Sequence, residues 1–204
     1  EKEELTDSLH QLADSLHEQR ASVLPDLEER VSDLLSQLRM EHAQFKIDLD
    51  RRDQFGPSGR DEVAFLFAPN KGSKFFPIKK VASGGELSRL ALCIKSIVAS
   101  AIPLPTLVFD EIDAGISGDV AQRMGEILKE LSERHQIVTI THSPQIAACG
   151  NKHYFVHKEI EDDRTFARAK LLDLEERIRE IAVMLSSDPP SSSAIENAKE
   201  LLEA

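Results

Sequence analysis

Two short, mainly apolar runs with a helical pattern between them restrict the fold of this chain more than any other feature. The runs cover residues 106–109 and 136–140, and polar side chains follow each of them directly. Short apolar strands of this kind are typical of parallel sheets, which are buried on both faces. A parallel connection requires a crossover, so the pattern predicts an α/β fold with right-handed connections. A further strand is predicted at residues 153–157.

Apolar side chains in the first part of the chain, before the two runs, repeat with other periods. Residues 44–50 and 62–68 alternate apolar and polar side chains, which predicts two antiparallel-looking strands and therefore a mixed sheet. Residues 5–38 carry apolar side chains at steps of three and four, which is typical of a coiled-coil seam that needs a partner helix. An ordinary amphipathic helix on a globular core is the alternative. Pro25 predicts a kink or the start of a second helix.

This change of period predicts two domains. Residues 1–42 are expected to form a coiled-coil arm, and residues 43–204 a mainly parallel lobe with flanking helices. The first residues already have a helical pattern without a cap, so we expect the chain to be a piece of a longer protein.

Charge and composition exclude some classes of function. The formal net charge of -11 is unfavourable for autonomous binding to nucleic acid, which needs lysine and arginine at the phosphates. Two unpaired cysteines fit a reducing cytoplasm, and no apolar run is long enough to span a bilayer. A local basic cluster at Lys79, Lys80, Arg89 and Lys95 is either a solvated face or a DNA contact.

A glycine-containing turn at Ser83, Gly84, Gly85 and Glu86 precedes a helical pattern. Ser83 is a suitable N-cap, and Glu86 three residues later completes a capping box. The glycines allow close approach of the backbone, and the N–H groups of the helix start favour an anion. A plain turn that opens a helix is the simpler interpretation.

Acidic residues and a histidine follow the two apolar runs. Asp110 and Glu111 follow the first run, and His142 follows the second. Ligands of parallel sheets collect at the carboxyl ends of the strands, so these side chains converge if the strands are neighbours. Such an acidic pair matches a Walker B element. In that element the aspartate holds Mg²⁺ directly or through water, and the glutamate orients or deprotonates the attacking water.

The order and spacing of these motifs resemble the C-terminal half of an ABC-type ATPase head. The resemblance implies that Ser83, Gly84, Gly85 and Glu86 form a signature motif that binds the γ-phosphate of ATP on an opposing head. It also implies a Walker B element at Leu107–Glu111 and a switch histidine at His142. The D-loop it implies consists of Ala114, Gly115, Ile116 and Ser117.

Longer segments resemble the bacterial DNA-repair branch of this family, which is related to the structural-maintenance-of-chromosomes (SMC) proteins. These segments are residues 81–89, 109–118, 141–147, 153–159 and 198–202. Residues 115–118 depart from the Ser-x-Leu-Asp D-loop of the wider family but are similar to the form in the repair branch. The resemblance implies an ATPase in double-strand break repair and recombination that tethers DNA through ATP-driven pairing of two heads. It further implies a cytoplasmic, nucleoid-associated protein.

The chain contains no Gly-x-x-x-x-Gly-Lys-Ser/Thr sequence, so a phosphate-binding loop is missing. In proteins of this type the N-terminal half of the head supplies that loop. We therefore expect this chain alone to be inactive and to bind ATP weakly.

Other interpretations stay open or fit less well. A non-catalytic coiled-coil scaffold and a head of another SMC-like chromosome protein are the two alternatives. A zinc site at Cys149, His153 and His157 is disfavoured, because residues four apart on a strand lie about 13 Å apart. A hydrolase built from Ser83, His142 and Asp110 would lack the Gly-x-Ser-x-Gly turn.

Overall fold

The computed structural model describes residues 1–81, 83–102, 104–116, 118–161 and 164–203. The chain divides into two compact units, residues 1–101 and residues 102–204. None of the helices among the described residues is both long and apolar enough to cross a membrane.

The first unit begins with helix α1, Lys2–Gln37, which continues through Pro25. The predicted helix is therefore confirmed as one element, and the alternative of a second helix beginning near Pro25 is wrong. In the first half of helix α1, the small side chain of Ala13 is buried. The helix buries its large apolar side chains only towards its end: Val31 and Leu35 are fully buried, whereas Leu12 is 66% exposed. The seam in the first half of α1 is therefore open in this chain.

Strands β1, Gln44–Gly56, and β2, Gly59–Ala68, form an antiparallel hairpin, and β3, Phe76–Pro77, pairs with β2. The hairpin is longer than predicted: β1 continues past residue 50 to Gly56, and β2 begins at Gly59 rather than at residue 62. These residues stay in the ladder because their charges find partners on neighbouring elements, such as Arg51 with Asp14 of α1 at 2.6 Å.

Helix α2, Gly84–Ala101, completes the first unit. The apolar periodicity of residues 87–98 predicts one buried side, and the side that is buried coincides with it only in part, since Leu87 and Val98 are 36% and 40% exposed. The buried residues are Leu90, Leu92, Cys93, Ser96, Ile97 and Ala99. Burial raises the pKa of the Cys93 thiol to about 12, so this side chain stays protonated and inert.

The second unit is built on two parallel strands, β4, Thr106–Asp110, and β5, Gln136–Ile140. Helix α3, Asp119–Ser132, connects them, and the short helix α4, Pro144–Cys149, follows β5. The predicted parallel pairing of these strands is confirmed. The N-cap of α3 is Gly118 rather than the predicted Asp119, which is the first helical residue.

The expectation that these strands are buried on both faces is wrong for this chain. Phe109 is fully buried on one face of β4, whereas Val108 on the other face is 55% exposed. Ile140 of β5 is likewise 54% exposed. Within the described part of the chain, no layer covers the second face of this strand pair.

Strands β6, Tyr154–Glu161, and β7, Arg164–Leu171, form a separate antiparallel hairpin. The strand predicted at residues 153–157 is therefore β6, and it pairs with β7. The described residues show no hydrogen-bonded ladder between β6 and β5. Helices α5, Leu174–Leu185, and α6, Ser192–Glu203, pack with α4 around Ile181 and Ala198. The predicted cap of α5 is confirmed, because the Glu176 amide donates to Asp173 Oδ1 at 2.9 Å.

Candidate functional site

The carboxyl ends of β4 and β5 meet, as the sequence predicted, and carry the predicted acidic residues. Asp110 is the last residue of β4, and both Asp110 and Glu111 are exposed. Glu111 has a φ of 47°, a left-handed conformation that costs energy for a residue with a side chain. Its amide donates to the Ile140 carbonyl at 3.0 Å, so this bond to the end of β5 helps to hold the turn.

The predicted D-loop continues this turn. The Ala114 amide donates to the Glu111 carbonyl at 3.3 Å, and the Ile116 amide donates to the Asp113 carbonyl at 3.0 Å. Gly115 has a φ of 72°, which a glycine adopts without strain. Ser117, the last predicted D-loop residue, lies outside the described residues.

Asp113 connects this turn to the loop after β5. Its Oδ2 atom accepts hydrogen bonds from the His142 amide at 3.0 Å and the Ser143 amide at 2.9 Å. The Thr141 hydroxyl donates to the same oxygen. Asp113 is fully buried. The sequence shows this aspartate within the acidic motif, but its role was not predicted, because burial and partners 28 to 30 residues away are tertiary properties.

The second carboxylate oxygen of Asp113 is unusual. Oδ1 is buried and has no hydrogen-bond partner among the described atoms. A buried polar atom without a partner costs roughly 1–3 kcal/mol, more when it is charged. Such an atom in a native fold requires an explanation, for which a functional role is one candidate.

His142 lies beside this carboxylate and faces solvent. Its Nδ1 atom is 3.5 Å from Asp113 Oδ2, and its side chain is 65% exposed. Ser143, the next residue, is buried, and its hydroxyl donates to Gln145 Oε1 at 2.9 Å. Asp110, Glu111, Asp113 and His142 are therefore gathered at one edge of the parallel strand pair.

Helix α4, which follows this loop, is held at its other end by Arg177 of α5. The Arg177 guanidinium donates to the carbonyls of Ala147 at 3.2 Å and Ala148 at 2.7 Å, and to that of Gly150. Carbonyls at the end of a helix lack the amide partners of its interior, and Arg177 supplies donors to them. Burial lowers the pKa of Arg177, but the group stays cationic at neutral pH.

The residues of the predicted signature begin α2 in the first unit. The Glu86 amide donates to Ser83 Oγ at a long 3.4 Å, so the predicted cap is present in a weak form. Ser83 and Gly84 are exposed, and the space beside Gly84 is open to at least 4 Å. The start of α2 is therefore accessible to a ligand. Lys79 and Lys80 of the predicted basic cluster are also exposed nearby in the chain.

The donor set at the strand ends suits a hard cation. Carboxylate oxygen is the preferred protein ligand of Mg²⁺, which usually takes one or two carboxylates and completes its shell with water and phosphate. Among the described residues, no three histidine, cysteine or acidic side chains are grouped closely enough to hold a metal ion by themselves. Asp110 fits Mg²⁺ only together with such additional ligands.

Comparisons with known proteins show which proteins this chain is similar to. The chain is 42% identical over 193 residues to the DNA repair protein RecN of Vibrio cholerae, covering 94% of the chain and 35% of that protein. It is 38% identical to RecN of Rickettsia typhi, covering 97% of the chain and 36% of that protein. For RecN of Streptomyces coelicolor the identity is 36%, with 100% of the chain and 38% of that protein covered. No family model matches the chain.

Solved SMC heads share the fold. The Smc head domain of Pyrococcus furiosus with an extended coiled coil has a TM-score of 0.63 at 19% identity, covering 88% of this chain and 43% of that chain. The Smc head domain of Pyrococcus yayanosii has a TM-score of 0.61 at 23% identity, covering 79% and 29%. The chain therefore has a mixed α/β fold of the SMC and ABC-ATPase head type with a leading helix. It spans 35 to 38% of the length of the curated relatives named above.

Proposed function

We propose that this chain, which is related along nearly its whole length to the C-terminal part of RecN, is the C-terminal lobe of an ATP-hydrolysing head. The observation that carries the proposal is the meeting of Asp110, Glu111 and His142 at the carboxyl ends of two parallel strands. The bond from the Glu111 amide to Ile140 supports it, since the acidic turn is held against the strand that leads to His142.

Each side chain then has a chemical role. Asp110 holds Mg²⁺, directly or through water; the ion, when bound, neutralises charge on the ATP phosphates. Glu111 orients the attacking water and accepts its proton. His142, exposed at the same edge, contacts the γ-phosphate.

The nucleotide site is shared between polypeptides in this proposal. The N-terminal half of the same head supplies the missing phosphate-binding loop. The uncovered apolar face of β4 and β5 supports a second lobe of this kind, because Val108 and Ile140 would be buried by it.

The start of α2 acts on a second nucleotide. Ser83, Gly84, Gly85 and Glu86 bind the γ-phosphate held by an opposing head, which makes the active protein an ATP-dependent homodimer. The open space beside Gly84 supports close approach of a phosphate. Ala114, Gly115, Ile116 and Ser117 form the D-loop at the same interface.

We further propose that the complete protein acts in DNA double-strand break repair and recombination in the cytoplasm, at the nucleoid. Closure and reopening of paired heads would tether DNA during repair. One solved SMC ATPase of similar fold, with a TM-score of 0.56, was studied for ATP-driven dimerisation and DNA-stimulated activation. The open apolar seam of α1 supports a partner helix and hence a coiled-coil arm over residues 1–42.

The proposal is tested with Glu111→Gln in the complete protein. The amide cannot accept the proton of water, so ATP turnover is expected to fall by about 100-fold or more, while ATP binding persists. The closed dimer should then accumulate with ATP, as measured by light scattering after gel filtration. Glu133→Gln, an exposed change at the end of α3, is the control and should leave both measurements unchanged.

Retained turnover in the Glu111→Gln protein would exclude Glu111 as the base. Absence of turnover in the unmodified complete protein would instead favour the non-catalytic scaffold. A chromosome-organising head of the same family would differ in arm length, which electron microscopy of the complete protein measures.

A further inference from the structure

The buried carboxylate of Asp113 links the turn that contains Glu111 to the loop that contains His142. We propose that Asp113 is a positioning residue, which fixes the loop and the ring of His142 so that Nε2 is the nitrogen presented to the nucleotide. The kinetic part of this inference rests on the proposed ATPase function, whereas the structural part does not.

The loop is fixed by one oxygen atom. Oδ2 of Asp113 accepts from three consecutive residues, Thr141, His142 and Ser143. These bonds run from the turn after β4 to the loop after β5, so a displacement of either segment is transmitted to the other. Because Asp113 is fully buried, water cannot readily replace these bonds.

The ring of His142 is placed by the same oxygen. The distance of 3.5 Å from Nδ1 to Oδ2 is longer than the usual 2.7–3.2 Å of an N–H···O hydrogen bond. A small rotation of the exposed ring shortens it to a bond. A carboxylate only accepts hydrogen bonds, so Nδ1 then carries the proton and Nε2 faces away from Asp113.

The hydrogen bonds of the loop do not require a negative charge at position 113. An asparagine could accept from the two backbone amides through its Oδ1 atom, without the cost of a buried carboxylate. Asp113 is a carboxylate despite this cost of burial, and its Oδ1 is buried without a hydrogen-bond partner among the described atoms. The oxygen nearest the imidazole is Oδ2, which also accepts from the loop, so the retained negative charge is explained if a ring N–H is a further partner of the carboxylate.

The ring nitrogens of His142 can be observed by ¹⁵N NMR on this chain, at a pH at which the imidazole is neutral. In the unmodified chain, the Nδ1–H tautomer of His142 is expected to predominate. In Asp113→Asn the signals should shift towards the Nε2–H tautomer, because an amide can also donate to Nδ1. Asp61→Asn is the matched control: it removes another buried, paired carboxylate in the first unit and should leave the His142 signals unchanged.

A predominant Nε2–H tautomer in the unmodified chain would overturn the proposal, and this measurement does not depend on the folding of any variant.

Thr141→Val separates the two roles of the Asp113 carboxylate, which are to anchor the loop and to orient the His142 ring. It removes one donor to Oδ2 but keeps the charge, so the tautomer of His142 is expected to persist. Equal effects of Thr141→Val and Asp113→Asn on the tautomer would reduce Asp113 to a loop anchor and contradict the assignment.

The kinetic test uses the complete protein. Residues that orient a functional histidine typically contribute about 10- to 100-fold. Asp113→Asn should lower kcat for ATP by this factor and leave KM within about threefold. A lower melting temperature with unchanged kcat would contradict the positioning role. If the unmodified complete protein hydrolyses no ATP, the proposed function fails, whereas the tautomer measurement still decides the placement of His142.

Discussion

At the scale of single residues, Asp61 shows how one carboxylate can join two elements. Its Oδ2 accepts from Arg20 of α1 at 2.6 Å and its Oδ1 contacts His17 at 2.7 Å, while only 2% of its side chain is exposed. Hydrogen bonds from Arg20 and then from His17 lower the pKa of Asp61. Asp61, which directly precedes the predicted strand at residues 62–68, thereby joins the long β1–β2 hairpin to the helix.

The first prediction concerns the stability that Asp61 contributes. Asp61→Asn should lower the free energy of unfolding by about 1–3 kcal/mol at neutral pH, the range for a buried bond to a charged group. Because the folded-state pKa lies below the unfolded value of about 3.9, this stability is present above that pH and is lost as the pH falls through the folded pKa.

Chemical denaturation of both proteins at neutral pH and in acid measures the effect, and the difference between them should shrink in acid. Asp48→Asn is the control, because Asp48 pairs with Lys46 at an exposed site and should contribute less than about 1 kcal/mol. An Asp61→Asn effect that is the same at both pH values would show that the charge is not the cause.

At the scale of elements, helix α1 has one buried end and one open end. Leu35 is fully buried, whereas Leu12, on the same helix, is 66% exposed. Leu35→Ala should therefore lower the free energy of unfolding of this chain by about 2–5 kcal/mol. Leu12→Ala should change it by less than about 0.5 kcal/mol, as at other surface positions. Urea denaturation of the two variants measures both effects.

The matched pair also tests the predicted arm. If the first half of α1 needs a partner helix, Leu12→Ala should become destabilising once the complete protein supplies that helix. A large effect of Leu12→Ala in the isolated chain would mean that the seam is already buried, and it would contradict the open arm.

At the scale of the whole molecule, the proposed nucleotide site is incomplete in this chain. It has the acidic turn, the histidine and the exposed start of α2, but no phosphate-binding loop. Calorimetry of this chain with ATP and Mg²⁺ should therefore show no saturable binding up to about 1 mM, an affinity of at most roughly 4 kcal/mol. The complete protein is the control and should bind. A dissociation constant below about 1 mM for this chain alone would overturn this expectation.

The sequence alone determined the kinds and order of the elements and the composition of the site. Apolar periodicity is a local property, so the α1 helix and the β4–α3–β5 crossover followed from it. The acidic pair and His142 could be predicted together, because parallel strands place their carboxyl ends at one edge.

Only the tertiary structure decided which groups contact each other across the chain. Asp113 reads in the sequence as one more acidic loop residue, and its role became visible through full burial and its bonds to residues 141–143. The hairpin beyond residue 50 could not be predicted, since its charges are stabilised by α1 rather than by an apolar pattern. The open face of β4 and β5 could not be predicted either: their apolar residues favour burial, but no layer among the described residues covers Val108 and Ile140.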